Sequence, residues 1–421
     1  MARRNIIVGL DVGTTKTAVV ISELYRESQV HLLGIGTSPS RGLKQGQVVD
    51  IVDTSEAIQT AAAAAEHASG IRLDRVCVGI AGGHLISHSQ KAELRLRANE
   101  RQISDRHVDR VVRATANIQP PEGREIVAVI PKSYSVDDLS GVSNPRGLSG
   151  RRLSVDAHVV TGAVNAMTNL ENSLKMARLG VEVSVLQPLA SAQACLTKEQ
   201  RQDGVALIDI GGGTTDIAVF MNDHCWHISV LPLGGQIVTS DISRGLRLPM
   251  TVAEELKVKH GRIDSRATQD RNPVTVPGFD RGAPTNVRMS DLTEVIEARM
   301  VEILQHVKRE LVHSGYQQLL PAGAVLTGGG SQLSGLPEMA MEVLGMPITL
   351  GRPPALWGLE ENIRRPEFCT GIGLSLAGLE ARSGAGLFSH EPRGVNGSID
   401  TVKRWVKGML TPRPEPEWEA E

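Results

Sequence analysis

One pattern occurs twice in this chain and constrains its fold more than any other feature. Gly9-Leu10-Asp11-Val12-Gly13-Thr14-Thr15-Lys16-Thr17-Ala18-Val19 and Leu207-Ile208-Asp209-Ile210-Gly211-Gly212-Gly213-Thr214-Thr215-Asp216-Ile217-Ala218-Val219 each read as a hairpin. An apolar strand ends in an aspartate, a Gly/Thr turn follows, and a second β-branched strand returns. The second copy reads as the first with two further glycines in its turn. The expectation is a duplicated α/β unit whose halves begin near residues 5 and 205. At 421 residues the chain is also too long for one ordinary core.

The turns suggest chemistry as well as shape. Glycine removes the Cβ that would block a phosphate, so backbone N–H groups and threonine hydroxyls can crowd round one. A single such turn is equally an ordinary tight turn. Asp11 and Asp209 add a carboxylate at each strand end, which suits a hydrated Mg²⁺ that also touches phosphate oxygens. A third segment, Leu326-Thr327-Gly328-Gly329-Gly330-Ser331, follows an apolar strand beginning at Ala322. It suits close approach of a purine ring, and by itself it reads equally well as a β-turn.

Between these motifs, helical spacing runs over residues 55–68, 163–179, 251–260 and 292–313. Residues 84–161 read as an inserted α+β module, with a helix near 105–117 and strands near 126–131 and 153–160. Residues 264–290, polar and rich in Pro, Gly and Arg, read as a surface loop. A boundary falls near 381, followed by a Gly/Ser/Pro-rich linker over 382–397.

Composition excludes several classes. A formal charge of -2 gives no global attraction to nucleic acid. Cys77, Cys195, Cys225 and Cys369 form no Cys-x-x-Cys pair, against a disulfide frame or a zinc site. The apolar run after Arg3 and Arg4 is too short for a signal peptide. No stretch approaches the roughly 18 to 20 apolar residues of a spanning helix.

The order Asp-x-Gly-Thr-Thr-Lys, Asp-x-Gly-Gly-Gly-Thr-Thr-Asp, Thr-Gly-Gly-Gly resembles the two phosphate loops and the adenosine loop of the actin superfamily. The match covers residues 5 to about 380. It implies two ribonuclease-H-like lobes around an ATP cleft. Gly13, Thr14, Thr15, Lys16, Gly211, Gly212, Gly213, Thr214 and Thr215 would face phosphates, with Gly234 and Gly235 over them. Asp11 and Asp209 would hold Mg²⁺ through water. Gly328, Gly329 and Gly330 would approach adenosine. Ala253-Glu254-Glu255-Leu256-Lys257 resembles the helix that reaches ribose and base through Glu254 and Lys257, and is otherwise a solvated surface helix. Gln187 falls where relatives keep a water-orienting residue, with Asp216 assisting; hydrolysis is expected to be weak or silent.

Within the superfamily, Pro39-Ser40-Arg41-Gly42-Leu43-Lys44-Gln45-Gly46, Asn144-Pro145-Arg146-Gly147-Leu148-Ser149-Gly150 and Val258-Lys259-His260-Gly261 resemble the FtsA family. This resemblance implies subdomain 1A from 1–83, 162–190 and about 362–381; subdomain 1C from 84–161; 2A from 191–243 and 315–361; and 2B from 244–314. The helix at 292–302 is similar to the one that receives the C-terminal tail of the tubulin-like FtsZ, with Arg299 and Glu302 as contacts; an amphipathic core helix is the plainer reading. Self-association into filaments and contact with later division proteins are further implications.

The C-terminus sets the expected location. On a helical wheel over 398–411, Ile399, Val402, Trp405, Val406, Met409 and Leu410 fall on one side, and Lys403, Arg404 and Lys407 on the other. That pattern suits an interfacial helix on anionic inner-leaflet lipid. Ser398 can cap its start, and Pro412 follows its end. Each basic residue would add about 1 kcal/mol near an anionic leaflet, so one copy binds reversibly and a filament binds by avidity. Residues 412–421 form a Pro/Glu tail, expected to be disordered, whose acidic groups oppose lipid attraction. Taken with the resemblance to the FtsA family, this helix implies a peripheral location on the cytoplasmic face of the cell membrane, at the division septum. A PilM-like pilus-assembly homologue or a soluble actin-fold kinase or ATPase are the competing readings.

Overall fold

The computed structural model describes residues 5–383 except 26–28, 98–99, 101, 264–272, 280–283, 357 and 359, and not the side chains of 362 and 380–383. Residues 384–397 of the expected linker, the expected amphipathic helix and the acidic tail lie outside the described residues.

The first lobe opens with β1 (Ile6–Val12), β2 (Lys16–Tyr25), β3 (Gln29–Pro39), the short ribbon β4 (Leu43–Lys44) and β5 (Gln47–Val48), α1 (Ile51–Ser69) and β6 (Arg75–Ile80). An insertion follows: β7 (Ile86–Arg95), α2 (Asp105–Thr115), β8 (Arg124–Val136), β9 (Leu139–Val142) and β10 (Arg152–Ala163). The chain then continues through α3 (Val164–Met176), β11 (Gly180–Leu186), α4 (Gln187–Cys195) and α5 (Lys198–Asp203). The second lobe holds β12 (Val205–Ile210), β13 (Thr215–Met221), β14 (His224–Leu231), α6 (Gly235–Gly245), α7 (Met250–His260), β15 (Val274–Pro277), β16 (Pro284–Val287), α8 (Met289–Ser314), β17 (Ala324–Thr327), α9 (Leu336–Leu344) and β18 (Ile348–Leu350). Finally, α10 (Cys369–Ser383) returns to the first lobe, packing on α4 and β1.

Duplication extends from the hairpins to whole sheets. One runs β3-β2-β1-β6-β11 and the other β14-β13-β12-β17-β18. In each, the hairpin strands pair antiparallel and the two later strands add in parallel. Strand β12, Val-Ala-Leu-Ile-Asp-Ile, is buried along its whole length because helices cover both sheet faces. The insertion forms its own sheet, β7-β10-β8-β9, with α2 against it. These features make an actin-like duplicated fold with an α+β insertion in the first lobe.

The helices form where the apolar spacing is helical. Asp50 caps α1 by accepting from the Asp53 N–H at 3.0 Å, and left-handed Gly70 ends it. Its alanine run lets β3 approach closely: a Cβ on Gly36 would strike the backbone of Ala61 and Ala65. Helix α8 buries Leu292, Ile296, Met300, Ile303, Leu304, Val307 and Leu311, a stripe at helical spacing.

Two sequence expectations need correction. Residues 264–290 are not simply a loop, because β15 and β16 pair there as an antiparallel ribbon and α8 starts at Met289. The alternation Val274-Thr275-Val276 is a short strand pattern hidden in a polar stretch. The second hairpin has no longer turn than the first. Gly13 N donates to Lys16 O at 3.1 Å and Gly211 N to Thr214 O at 2.9 Å, and the closing pairs are Val12 with Thr17 and Ile210 with Thr215. Gly212 and Gly213 thus replace Thr14 and Thr15, Thr214 replaces Lys16, and Asp216 takes the cross-strand place of Ala18.

Candidate functional site

The equal turns meet face to face. A Cβ on Gly212 would strike the Thr15 side chain, and one on Gly213 the Thr14 side chain. Glycines on one side and threonines on the other let the loops nest. Gly46 N donates to Thr14 Oγ1 at 3.0 Å, and Gln45 Nε2 to Pro232 O at 3.0 Å, so the β4–β5 ribbon also bridges the lobes.

Between the loops lies a cavity of about 140 Å³. Asp11, Gly13, Thr14, Thr15, Lys16, Gln187, Asp209, Gly211, Gly212, Gly213, Thr214, Asp216, Gly328 and Gly329 line it. The other expected site residues stand behind the loops. Gly235 and Gln236 donate from the start of α6 to Gly211 O and Gly212 O at 2.9 and 2.7 Å, and Thr215 Oγ1 donates to Leu233 O at 2.8 Å. A Cβ on Gly234 would stand 2.7 Å from Gly211 O. Lys257 Nζ donates to Gly235 O, Thr239 Oγ1 and Glu254 Oε2 at 3.0, 2.7 and 2.7 Å, tying α7 to α6. Gly330 packs on Ile210.

Three buried carboxylates share the cavity, each held differently. Gln187 Nε2 donates to Asp11 Oδ1 at 2.9 Å. Ser191 Oγ and Thr370 Oγ1 donate to Asp209 Oδ2 at 2.6 and 3.3 Å. Asp216 Oδ1 is buried without a hydrogen-bond partner. Burial raises the Asp11 carboxyl to about 7; Lys16 opposes this and Asp209 adds to it. Burial likewise raises Asp209, against the two hydroxyl donors. Asp216 is raised well above the usual carboxylate range by burial, then by Asp209 and Asp11. Burial pulls the Lys16 ammonium down, with Glu367 and Asp11 acting against it.

Three desolvated carboxylates against one ammonium make a site short of positive charge, and the unpartnered Asp216 oxygen marks the same deficit. Hard oxygen donors of this kind fit Mg²⁺. Among the described residues no His/Cys/Asp/Glu group could hold a metal by itself, so the shell would need water and phosphate oxygens. The glycine-lined walls fit a polyphosphate.

Sequence reasoning missed Ser191, Thr370, Gly46, Ala81 and Glu367. Ala81 had a signal: Ala81-Gly82-Gly83 leaves β6 beside β1 as Gly328-Gly329-Gly330 leaves β17 beside β12. On α8, Arg299 and Glu302 pair with each other at 2.7 Å, and Arg299 also pairs with Asp241 of α6. Among the described residues no helix is long and apolar enough to cross a membrane.

Known proteins resemble this chain in sequence and in fold. A family model described as cell division protein FtsA matches residues 206–373, and one described as the SHS2 domain inserted in FtsA matches residues 82–161. The cell division protein FtsA of Pseudomonas aeruginosa is 38% identical over 410 residues, covering 96% of this chain and 97% of its own. That of Escherichia coli K12 is 31% identical over 420 residues, with 96% and 97% covered. Among solved structures, the PilM-PilN type IV pilus biogenesis complex superposes with a TM-score of 0.64 at 20% identity, over 89% of this chain and 98% of that one. MreB5 of Spiroplasma citri bound to ADP gives 0.51 at 12% identity, over 88% and 95%. These two likenesses establish the actin-like fold, and the extended sequence identity separates the chain from the pilus protein. The chain belongs to the FtsA family of cell division proteins.

Proposed function

We propose that this division protein binds Mg·ATP between its two hairpin turns and tethers FtsZ filaments to the cytoplasmic face of the membrane. The observation that carries the reading is the facing pair of Gly/Thr turns with Asp11, Asp209 and Lys16 around one cavity, in a chain of the FtsA family. A relative of the same fold was solved with ADP bound.

When bound, Mg·ATP supplies a polyphosphate and a hard cation. Asp11 and Asp209 are the residues to hold Mg²⁺ through water, and Lys16 is the ammonium for phosphate. Thr14 Oγ1 already accepts from Gly46 N, which leaves its own hydrogen to donate. Gln187, bonded to Asp11, and Asp216 would orient water. Lys257, Glu254, Gly234 and Gly235 brace the second loop, and Gly328 and Gly329 would form the wall for adenosine, with Gly330 behind them on Ile210. The expected subdomains would flank this cleft, with the divisions at 190 and 243 shifted to the ends of α4 (Gln187–Cys195) and α6 (Gly235–Gly245), which they would otherwise cut.

The adaptor role rests on the family and on two segments of this chain. Arg299 and Glu302 on α8 are the proposed contacts for the FtsZ tail. Ile399, Val402, Lys403, Arg404, Trp405, Val406, Lys407, Met409 and Leu410 form the proposed lipid-binding helix, peripheral and at the septum. Filaments of this chain would then help assemble the Z ring and recruit later division proteins. The test is sedimentation with anionic liposomes and ATP, with and without FtsZ, for the full chain and for one truncated after Gly397. FtsZ should pellet only with the full chain. Equal pelleting by both chains removes the membrane role and returns the soluble-ATPase reading.

A further inference from the structure

The turn at residues 365–368 lies far from every recognised motif, yet it grips the first phosphate loop. Lys16 Nζ donates to Glu367 O at 2.8 Å and stands 3.8 Å from the centroid of the Phe368 ring. Other bonds fix the turn itself. Glu367 Oε1 pairs with Arg365 at 2.6 Å, Gln332 Nε2 donates to Glu367 Oε2 at 3.1 Å, and Thr327 Oγ1 donates to Pro366 O at 3.2 Å. Phe368 is 7% exposed and packs with Val20, Leu32, Ala194 and Ile372 beneath the loop.

We propose that Phe368, with the Glu367 carbonyl, positions Lys16 for the phosphates of a nucleoside polyphosphate; this rests on the nucleotide reading above. A lysine carries four flexible methylenes and loses that freedom when it grips an anion. Here the freedom is already spent by a ring face and a carbonyl. Neither partner carries a formal charge. A carboxylate in their place would neutralise the ammonium and compete with phosphate, whereas a ring and a carbonyl stabilise it with its full charge intact. Lys16 also lines the cavity, and its ammonium has three N–H groups, of which the carbonyl takes one. Burial works against its charge and the Glu367 and Asp11 carboxylates favour it, and the ring and carbonyl add support at direct contact without a further counter-charge. Phe368 is therefore a positioning residue acting through Lys16.

The test uses the full chain with Mg²⁺ and a fluorescent ATP analogue at equilibrium. Phe368→Leu should weaken binding about 2- to 30-fold, the span from an exposed to a desolvated cation–π contact. Phe368→Met, about leucine's size but unbranched and without the ring, should behave alike, and a melting midpoint recorded for each variant separates a folding defect from lost binding; Phe368→Trp should retain affinity. On a Lys16→Met background, Phe368→Leu should change nothing further. An equal loss on both backgrounds, or no loss on either, overturns the proposal and leaves the nucleotide reading standing. Failure of the unsubstituted chain to bind overturns both.

Discussion

Acid should loosen the seam between the insertion and the second lobe through one histidine. His158 on β10 is 6% exposed. Its Nε2 lies 2.6 Å from Trp226 O on β14, and its Nδ1 lies 3.0 Å from Ser87 Oγ on β7. A carbonyl only accepts, so Nε2 carries the hydrogen and Nδ1 of the neutral ring accepts from Ser87. Burial lowers the imidazole from 6.5 to about 4; Lys132 and His227 push the same way, while the Trp226 carbonyl and Asp156 oppose them. Below pH 6.5 the unfolded chain takes up a proton that the folded chain refuses until about pH 4. Stability from this group is thus full above pH 6.5 and lost as pH falls towards 4. Linkage between those two values gives a loss of about 2 kcal/mol at pH 5 relative to pH 7.5. Amide hydrogen exchange of β10 and β14 reads the local opening free energy. His158→Gln can still donate to Trp226 O but does not titrate, so its opening energy should fall by about 2 kcal/mol less over the same interval. Parallel pH profiles for the two proteins would exclude His158 as the titrating group.

Two further predictions follow from the site and the proposed partner surface. Gly213→Ala puts a Cβ against the Thr14 side chain and 3.0 Å from Gln45 Cα; overpacking of about 1 to 3 kcal/mol should lower the melting temperature and weaken nucleotide binding, and an unchanged calorimetric midpoint would contradict the nested loops. Arg299→Ala leaves Asp241 and Glu302 without their shared cation and should reduce capture of an FtsZ tail peptide in fluorescence anisotropy; undiminished affinity would remove α8 as that surface.

What was legible from sequence was what local pattern encodes. The hairpins stood out because an aspartate at a strand end and a Gly/Thr turn are contiguous in the chain, and α8 because its apolar stripe repeats at helical spacing. The turn length misled: aligning Thr14-Thr15 with Thr214-Thr215 by residue identity implies an insertion, whereas the backbone bonds align Thr14 and Thr15 with Gly212 and Gly213. The glycines are there because the opposite threonines need the room. Such a pairing across lobes leaves no local mark. The turn at 365–368, Ser191 and Thr370 were silent for the same reason, since their roles come from elements distant in sequence meeting at Asp209 and Lys16. The ribbon at β15 and β16 was hidden because two four-residue strands fall below the length at which alternation outweighs a polar, proline-rich background.

The proposed role of the cavity between the two turns is that of a Mg²⁺-dependent nucleotide site. Calorimetric titration of the full chain with ATP, with Mg²⁺ and with excess chelator, measured beside Asp209→Asn, tests it most directly. Tight binding that weakens on chelation is expected in the native protein, and weaker, largely Mg²⁺-insensitive binding in the variant. Equal affinity in all four titrations, or no heat in any, would contradict it.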